Sequence, residues 1–217
     1  SFELYNQGLL NEWDWIKLDI ALIKSSIKDR EITDSELRSL MEGMPMMDNW
    51  QLLISELIKD GAKVAIVSGG LQQTARDIAA QFPSKIPWRR RWGGIDRFTA
   101  ERFGDGFDSK LSVFTNGWLR GSQLSNGLYG LDDFGRYQVQ MNGKGAITKM
   151  LQRRYGISKS KTVAVGDSAG DIGMFQESGL AICFNPWDER PLKYCDEVIK
   201  EKDLSLVLDL IKAKMNG

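Results

Sequence analysis

The sequence of 217 residues has no histidine and only two cysteines. Without histidine, these residues cannot form a histidine-dependent catalytic triad, a histidine metal cage or a phosphohistidine intermediate. Cys183 lies in an apolar run, which predicts a core position, and no pattern indicates a disulfide between it and Cys195. This sparse use of cysteine is typical of a reducing compartment and predicts a cytoplasmic location.

The chain also lacks net charge and long apolar runs. Lys plus Arg and Asp plus Glu number 29 each, so no overall field attracts nucleic acid or a membrane surface. No run approaches the ~18 apolar residues of a membrane span. Neither a membrane nor nucleic acid is therefore expected as a partner. The 42% of apolar residues are enough for one α/β domain with a small accessory piece.

Apolar periodicity predicts the order of the elements. Residues 1–44 are expected to be helical, with one apolar face at Trp13, Ile16, Ile20 and Ile23. Further predictions are helices over residues 33–40, 50–57, 71–81, 144–155 and 203–215, and strands over residues 63–67, 162–165 and 180–184. This alternation favours an α/β fold with a doubly wound parallel sheet. We expect a small helical cap (residues 1–44) and a core (residues 45–217).

An insertion over residues 83–141 interrupts the alternation within the core. Pro and Gly punctuate residues 83–110, which predicts a long surface loop. Short strands are predicted over residues 111–115, 128–131 and 137–141, with a turn at Asn116-Gly117. The basic, aromatic stretch Trp88–Trp92 has two interpretations. It is either a patch for an anionic substrate, nucleic acid or a partner surface, or a solvated loop whose tryptophans pack on the core.

Two carboxylates follow the apolar run Thr162–Val165. The run is typical of a buried parallel strand, and after it come Gly166, Asp167 and, four positions later, Asp171. Ligands bind at the carboxyl ends of parallel strands, and carboxylate oxygens suit Mg²⁺, which usually shares them with a substrate phosphate. Asp167 is therefore a candidate metal ligand. The alternative is that the aspartates only cap the following helix.

Two further strand-to-helix junctions carry residues suited to phosphate. Ser68-Gly69-Gly70 offers a hydroxyl and open backbone N–H groups at a helix start, unless the glycines only permit a tight turn. Lys144 lies between two glycines at another helix start. Its charge would offset that of a bound phosphate, unless it is an ordinary solvated lysine.

Taken together and in this order, the motifs resemble the second, third and fourth motifs of the haloacid dehalogenase superfamily. The likeness is strongest to its phosphoserine phosphatase-type branch, in archaeal-looking form, and it extends over most of the chain. The similar segments are Val64–Gly70, Gly143-Lys144-Gly145, Thr162–Phe175, Gly179–Ile182 and Val198–Leu204. The resemblance implies a Rossmann-like α/β core and a helical cap inserted after the family's first motif.

The resemblance also implies roles for the candidate residues. Ser68, with the backbone of Gly69 and Gly70, would hold a phosphoryl oxygen, and Lys144 would bridge the phosphate and the nucleophile. Asp167 would ligate Mg²⁺, while Asp171 would orient either the water shell of the metal or the lysine. The implied activity is Mg²⁺-dependent hydrolysis of a small phosphate ester through an aspartyl-phosphate intermediate.

The first motif of the family, Asp-x-Asp at the end of a strand, has no counterpart in these residues. Asp132-Asp133 lies in a Gly-rich turn region, and Asp14 and Asp19 lie on the leading helix. We therefore expect the nucleophile upstream of Ser1, on a βα unit of roughly 30–40 residues. The 217 residues alone are accordingly expected to be inactive. The alternative is a homologue that binds phosphate without catalysis.

Two further departures from the family concern the substrate. Gly170 stands where the family has an asparagine, so the resemblance does not supply that contact to phosphate or substrate. Asp19 stands near the place of the arginine that grips the substrate carboxylate in phosphoserine enzymes. Because an aspartate repels a carboxylate, the first hypothesis is another small phosphorylated metabolite, and phosphoserine itself is the alternative.

Overall fold

The computed structural model describes residues 1–83, 110–135 and 137–215. The stretch Trp88–Trp92, and with it most of the predicted surface loop, lies outside the described residues. No helix among the described residues is long and apolar enough to cross a bilayer.

The contacts divide the chain into two units, and β1 (Ala65–Leu71) runs from one into the other. The first unit, Ser1–Met44 with Ser68–Val139, contains α1 (Phe2–Asn6), α2 (Glu12–Lys24), α3 (Asp34–Met41), α5 (Gln72–Ala80), β2 (Ser112–Asn116), β3 (Arg120–Gln123) and β4 (Tyr129–Leu131). The second, Pro45–Val67 with Gln140–Gly217, contains α4 (Trp50–Lys59), α6 (Lys144–Tyr155), β5 (Val163–Gly166), α7 (Ile172–Gln176), β6 (Leu180–Phe184), β7 (Glu197–Ile199) and α8 (Ser205–Met215). The expected division into a cap and a core at residue 44 stays a prediction.

The second unit is built on a parallel sheet with the strand order β5-β6-β7. β5 and β6 pair in register from Val163 opposite Leu180 to Gly166 opposite Cys183. Parallel neighbours need a crossover connection, and the segment that contains α7 supplies it between β5 and β6. The carboxyl ends of β5 and β6 therefore lie at the same edge of the sheet.

β6 lies in the middle of this sheet and is buried along its whole length. Because side chains alternate between the faces of a strand, its even-numbered residues pack on one face with residues of α4 and α8. Ala181 and Cys183 pack on the other face with Phe175 of α7. The core position of Cys183 is confirmed, and both it and Cys195 are free thiols. Helices on both faces of a parallel sheet confirm the α/β, doubly wound class.

The first unit packs its leading helices on an apolar core. The buried members are Ile20, Ile32, Leu37, Trp118 and Leu131. Ile16 and Ile23 pack against this core as their spacing predicts, whereas Trp13, predicted on the same face, is exposed. α3 lies where the helix over residues 33–40 was predicted, and a capping box begins it: Thr33 Oγ1 accepts a hydrogen bond from the Glu36 N–H and the Glu36 carboxylate accepts one from the Thr33 N–H.

The strand predicted over residues 137–141 is wrong, because the side chain of Asn116 takes the place of a partner strand. Its Oδ1 accepts from the N–H groups of Gln138 at 2.7 Å and Val139 at 2.8 Å, and its Nδ2 donates to the Val139 carbonyl at 2.8 Å. The backbone groups are thus satisfied without a strand ladder. β3, absent from the predictions, pairs antiparallel with β4 instead.

Candidate active site

α6 carries Lys144 in its first turn, and the helix begins and ends where the sequence predicts. Gly156 ends it with a φ of 64°, the left-handed conformation that favours glycine. The Lys144 side chain is largely buried, and its Nζ donates to Asp171 Oδ1 at 2.6 Å. Lys144 is therefore held in place by a carboxylate and is not an ordinary solvated lysine.

The buried carboxylate of Asp171 organises the loop that follows β5. Its Oδ2 accepts hydrogen bonds from the N–H groups of Asp167 at 2.9 Å and Ser168 at 3.0 Å, and from Ser168 Oγ at 3.1 Å. Together with the bond from Lys144, these use the roughly four acceptor positions of a carboxylate. Asp171 thus fixes both the lysine and the backbone of Asp167, and both of its oxygens are engaged within the protein.

Close approach at three glycines makes this arrangement sterically possible. A Cβ on Gly145 would lie 2.7 Å from the carbonyl oxygen of Gly173, so the absence of side chains lets α6 approach α7 closely. A Cβ on Gly166 would lie 2.4 Å from Cγ of Asp171. Small residues at these positions are what allow Lys144 and Asp171 to meet across a sequence separation of 27 residues.

Asp167 is the carboxylate that remains free at this edge. It follows the last residue of β5, its side chain is exposed, and no ion pair reaches it from the described residues. Partial desolvation by the surrounding protein raises the pKa of Asp167, and the charge of Asp171 raises it further, while Lys144 acts in the opposite direction. The site therefore places two carboxylates against one lysine.

The donor set fits Mg²⁺ bound through a small number of protein ligands. No group of three or more Cys, Asp or Glu side chains that could hold a metal ion occurs in the part of the chain that the structure describes. Mg²⁺ does not need such a cage, because it usually binds one or two carboxylates, several waters and substrate phosphate oxygens. Asp167 is free for this purpose and Asp171 is not.

Ser68, Gly69 and Gly70 belong to the other unit and lie within β1. The strand runs to Leu71, past its predicted end, and α5 begins at the next residue. β1 extends past its predicted end because β2 pairs with it. Asn116 Nδ2 also donates to the Gly69 carbonyl at 3.3 Å. The Gly70 N–H donates to Ser68 Oγ at 3.1 Å. Gly69 and Gly70 are exposed and Ser68 is half-buried.

The predictions missed the loop that follows β6. Asn185 has a φ of 44°, and this turn brings the Trp187 N–H to 3.3 Å from the carbonyl oxygen of Asp167. Asp188 Oδ2 accepts from the Ala169 N–H at 3.3 Å. The sequence did contain a signal, because Asn-Pro at residues 185–186 marks a turn directly after a strand that was predicted.

Comparison with known proteins supports the chemistry that this geometry suggests. The family of haloacid dehalogenase-like hydrolases matches residues 140–211. A phosphoserine phosphatase of Methanocaldococcus jannaschii is 30% identical over 208 residues, which are 95% of this chain and 80% of the relative. A phosphoserine phosphatase of Haemophilus influenzae is 26% identical over 83% of this chain and 47% of the relative. A substrate-bound phosphoserine phosphatase complex has the same fold, with a TM-score of 0.66 and 22% identity over 94% of this chain and 79% of that one.

Proposed function

Because this chain belongs to the haloacid dehalogenase-like hydrolases, in their phosphoserine phosphatase-type branch, we propose that it is a Mg²⁺-dependent phosphatase of a small phosphorylated metabolite. Phosphatases of this family hydrolyse phosphate esters; the metal, the intermediate and the substrate are our proposal. The observation that carries it is the Lys144–Asp171 pair beside the free Asp167 at the carboxyl end of a parallel strand. The proposal includes a cytoplasmic location.

Each residue of this arrangement has a distinct task. Lys144 places its ammonium against a phosphoryl oxygen and neutralises charge there, and Asp171 holds that ammonium in one position. Asp167 would hold Mg²⁺, which when bound supplies further positive charge to the phosphoryl group. From the sequence resemblance, Ser68 and the N–H groups of Gly69 and Gly70 donate to phosphoryl oxygens.

We further propose that the nucleophile is an aspartate upstream of Ser1 that forms an aspartyl-phosphate. The acidic pair Asp132-Asp133 does not offer it, because it follows β4 of an antiparallel hairpin and Asp133 pairs with Lys24 at 2.5 Å. Asp14 and Asp19 lie on α2. A carboxylate nucleophile would divide the hydrolysis into two easier steps.

The substrate is proposed to be a small phosphate ester. Phosphoserine is one candidate, since the two relatives described above are named phosphoserine phosphatases. A second candidate function is phosphate binding without catalysis, which the missing Asp-x-Asp motif favours. The two functions differ in turnover but share the phosphate site, so both must be tested in the same experiment.

The test compares the 217-residue chain, a chain extended by its native upstream residues, and the extended chain with Asp167→Asn. Phosphate release is measured on a panel of phosphomonoesters with Mg²⁺ and with EDTA. We expect turnover only from the extended chain with Mg²⁺, and a loss of at least ~100-fold in the variant, as for other single electrostatic groups.

The matched control is Asp209→Asn, which removes an exposed carboxylate of α8 and should leave turnover unchanged. Full turnover by the 217-residue chain would contradict the upstream nucleophile. If the 217-residue chain and the extended chain both bind phosphate but neither turns over a phosphomonoester, the non-catalytic alternative is favoured.

A further inference from the structure

The loop Asn185–Arg190, which follows β6, is fastened to the loop that carries Asp167. Because β5 and β6 are adjacent parallel strands with Gly166 opposite Cys183, both loops leave the same edge of the sheet. The left-handed Asn185 turns the chain back over that edge. Two hydrogen bonds join the loops, from the Trp187 N–H to the Asp167 carbonyl and from the Ala169 N–H to the Asp188 carboxylate, each 3.3 Å long.

Asp188 makes this connection rigid. Its Oδ1 accepts from the backbone N–H and the Nε of Arg190 at 2.8 and 3.1 Å, and its Oδ2 accepts from an Arg190 terminal nitrogen at 3.1 Å. The pKa of Asp188 lies below its usual value, chiefly through the hydrogen bond from the Arg190 side chain. The guanidinium in turn lies 5.9 Å from the centre of the Trp187 ring. Trp187 is thus connected to the Asp167 loop in two ways. Its backbone N–H bonds to Asp167, and its ring lies near Arg190, which is held by Asp188.

The Trp187 ring itself is left open. Trp187 is 62% exposed. An exposed tryptophan contributes little to the stability of the fold, because its apolar surface stays in water. A ring that faces solvent beside a phosphate site can bind the organic part of a phosphate ester. Indole attracts both aromatic rings and cations, but the Arg190 guanidinium already lies against this ring and would repel a second cation.

We propose that Trp187 is a specificity-determining residue of this site and that its indole contacts a neutral, planar leaving group, such as an aryl or heteroaryl group. The inference rests on the proposed phosphatase function and names its substrate class. The phosphoryl group would be held at Lys144 and Asp167, and the ester substituent would extend over the loop of Trp187. Asp188 is a positioning residue, because it acts through Ala169 and Arg190.

The test measures binding, so that it does not depend on turnover. Calorimetric titrations of the 217-residue protein in Mg²⁺ use inorganic phosphate, methylphosphonate, phenylphosphonate and 2-aminoethylphosphonate as probes. We expect phenylphosphonate to bind about 3- to 10-fold more tightly than methylphosphonate, the size of an aromatic pair contribution. Trp187→Ala should remove this preference without weakening phosphate, and Trp187→Phe should keep part of it.

Tyr194→Ala is the matched control, because Tyr194 is another exposed ring beside a cation, Lys193 at 5.2 Å, on the same segment. It should keep the full preference. Phosphate binding with no preference for phenylphosphonate, or with a preference for the cationic probe, would overturn the role of Trp187 and leave the phosphatase proposal standing. No binding of any probe in Mg²⁺ would overturn the role of Trp187 and the phosphate site of these 217 residues, while the phosphatase proposal is decided separately by turnover of the extended chain.

Discussion

The two units differ in how they compensate the charge of an aspartate. In the first unit, Asp34 accepts hydrogen bonds from Arg38 at 3.0 Å, from the Trp118 indole at 2.8 Å and from Arg120 at 3.3 Å. Burial acts to raise the pKa of Asp34, but these donors outweigh it and the pKa lies below its usual value. In the second unit, burial and Asp171 raise the pKa of Asp167.

The difference distinguishes a structural carboxylate from the one that we propose binds a metal ion. Asp34 has two guanidinium groups within reach, so its charge is fully compensated and it joins α3 to β3. At the other site Lys144 pairs with Asp171, and Asp167 forms no ion pair with the described residues. This free carboxylate is the one that we propose binds Mg²⁺.

The largest effect should come from Asp171→Ala. The change leaves the Lys144 ammonium without its carboxylate and removes the acceptor of three hydrogen bonds in the Asp167 loop. Loss of one partner of a buried ion pair destabilises by about 3–5 kcal/mol. Urea unfolding at pH 7 measures this, and a loss under about 1 kcal/mol would contradict the organising role of Asp171.

Its matched control is Glu177→Ala, in the same unit. Glu177 pairs with Lys149 at 3.0 Å, but the lysine side chain is exposed. Such a pair contributes about 0–1 kcal/mol, so this variant should unfold close to the parent.

Asp34→Asn should have the next largest effect on stability, because the amide leaves two guanidinium groups without a charged partner. We expect a loss of about 2–3 kcal/mol at neutral pH, below the range for a fully buried pair because both arginines are partly exposed. Asp133→Asn is the control, since its pair with Lys24 lies at the surface and should contribute under about 1 kcal/mol. If Asp34→Asn and Asp133→Asn lowered the unfolding free energy equally, Asp34 would be no more important to stability than a surface carboxylate.

The effect of Asp34→Asn should also depend on pH in a defined direction. A carboxylate whose folded-state pKa is lowered stabilises the fold above its unfolded-state pKa, and this contribution is lost as the pH falls through the folded-state pKa. The difference in unfolding free energy between parent and variant should therefore be constant at neutral pH and shrink below about pH 4. A difference that grew towards low pH would show that Asp34 is not stabilised as a carboxylate.

The smallest effect, and one of opposite sign, is expected for Asp167→Asn in EDTA. A raised folded-state pKa means that the ionised form is disfavoured by folding, so stability is lost as the pH rises through that pKa. Removing the charge should leave the melting temperature at pH 7 unchanged or slightly higher, and the gain should vanish below about pH 4. A clear decrease at pH 7 would mean that Asp167 is a structural carboxylate like Asp34.

Local signals account for the parts of the fold that the sequence predicted. The apolar run of β6, the start of α3 after Thr33 and the end of α6 before Gly156 are each determined by neighbouring residues, and these three elements lie where they were predicted. The parts that were missed depend on distant contacts. Residues 137–141 meet the side chain of Asn116 instead of a strand, a contact over 22 residues that no local pattern encodes.

The candidate site also contains residues that the sequence predicted and residues that it missed. The resemblance grouped Ser68, Lys144, Asp167 and Asp171, and within the second unit the Asp171 carboxylate accepts hydrogen bonds from the Lys144 side chain and from the backbone N–H of Asp167. The resemblance left open whether Asp171 orients the lysine or the water shell of the metal, because that depends on which carboxylate Lys144 reaches, and the structure shows Lys144 on Asp171. Trp187 was missed, since its approach to Asp167 follows from the parallel register of β5 and β6.

β5 has one further consequence, for the behaviour of the protein in solution. Among the described residues it is an edge strand of its sheet, and its residues other than Ala164 are only half-buried, in contrast to the fully buried β6. An apolar edge with free backbone groups is a template for pairing with a strand of another molecule. Concentrated samples of this chain should therefore self-associate edge to edge, and a lysine at Val163 or Val165 should suppress that association.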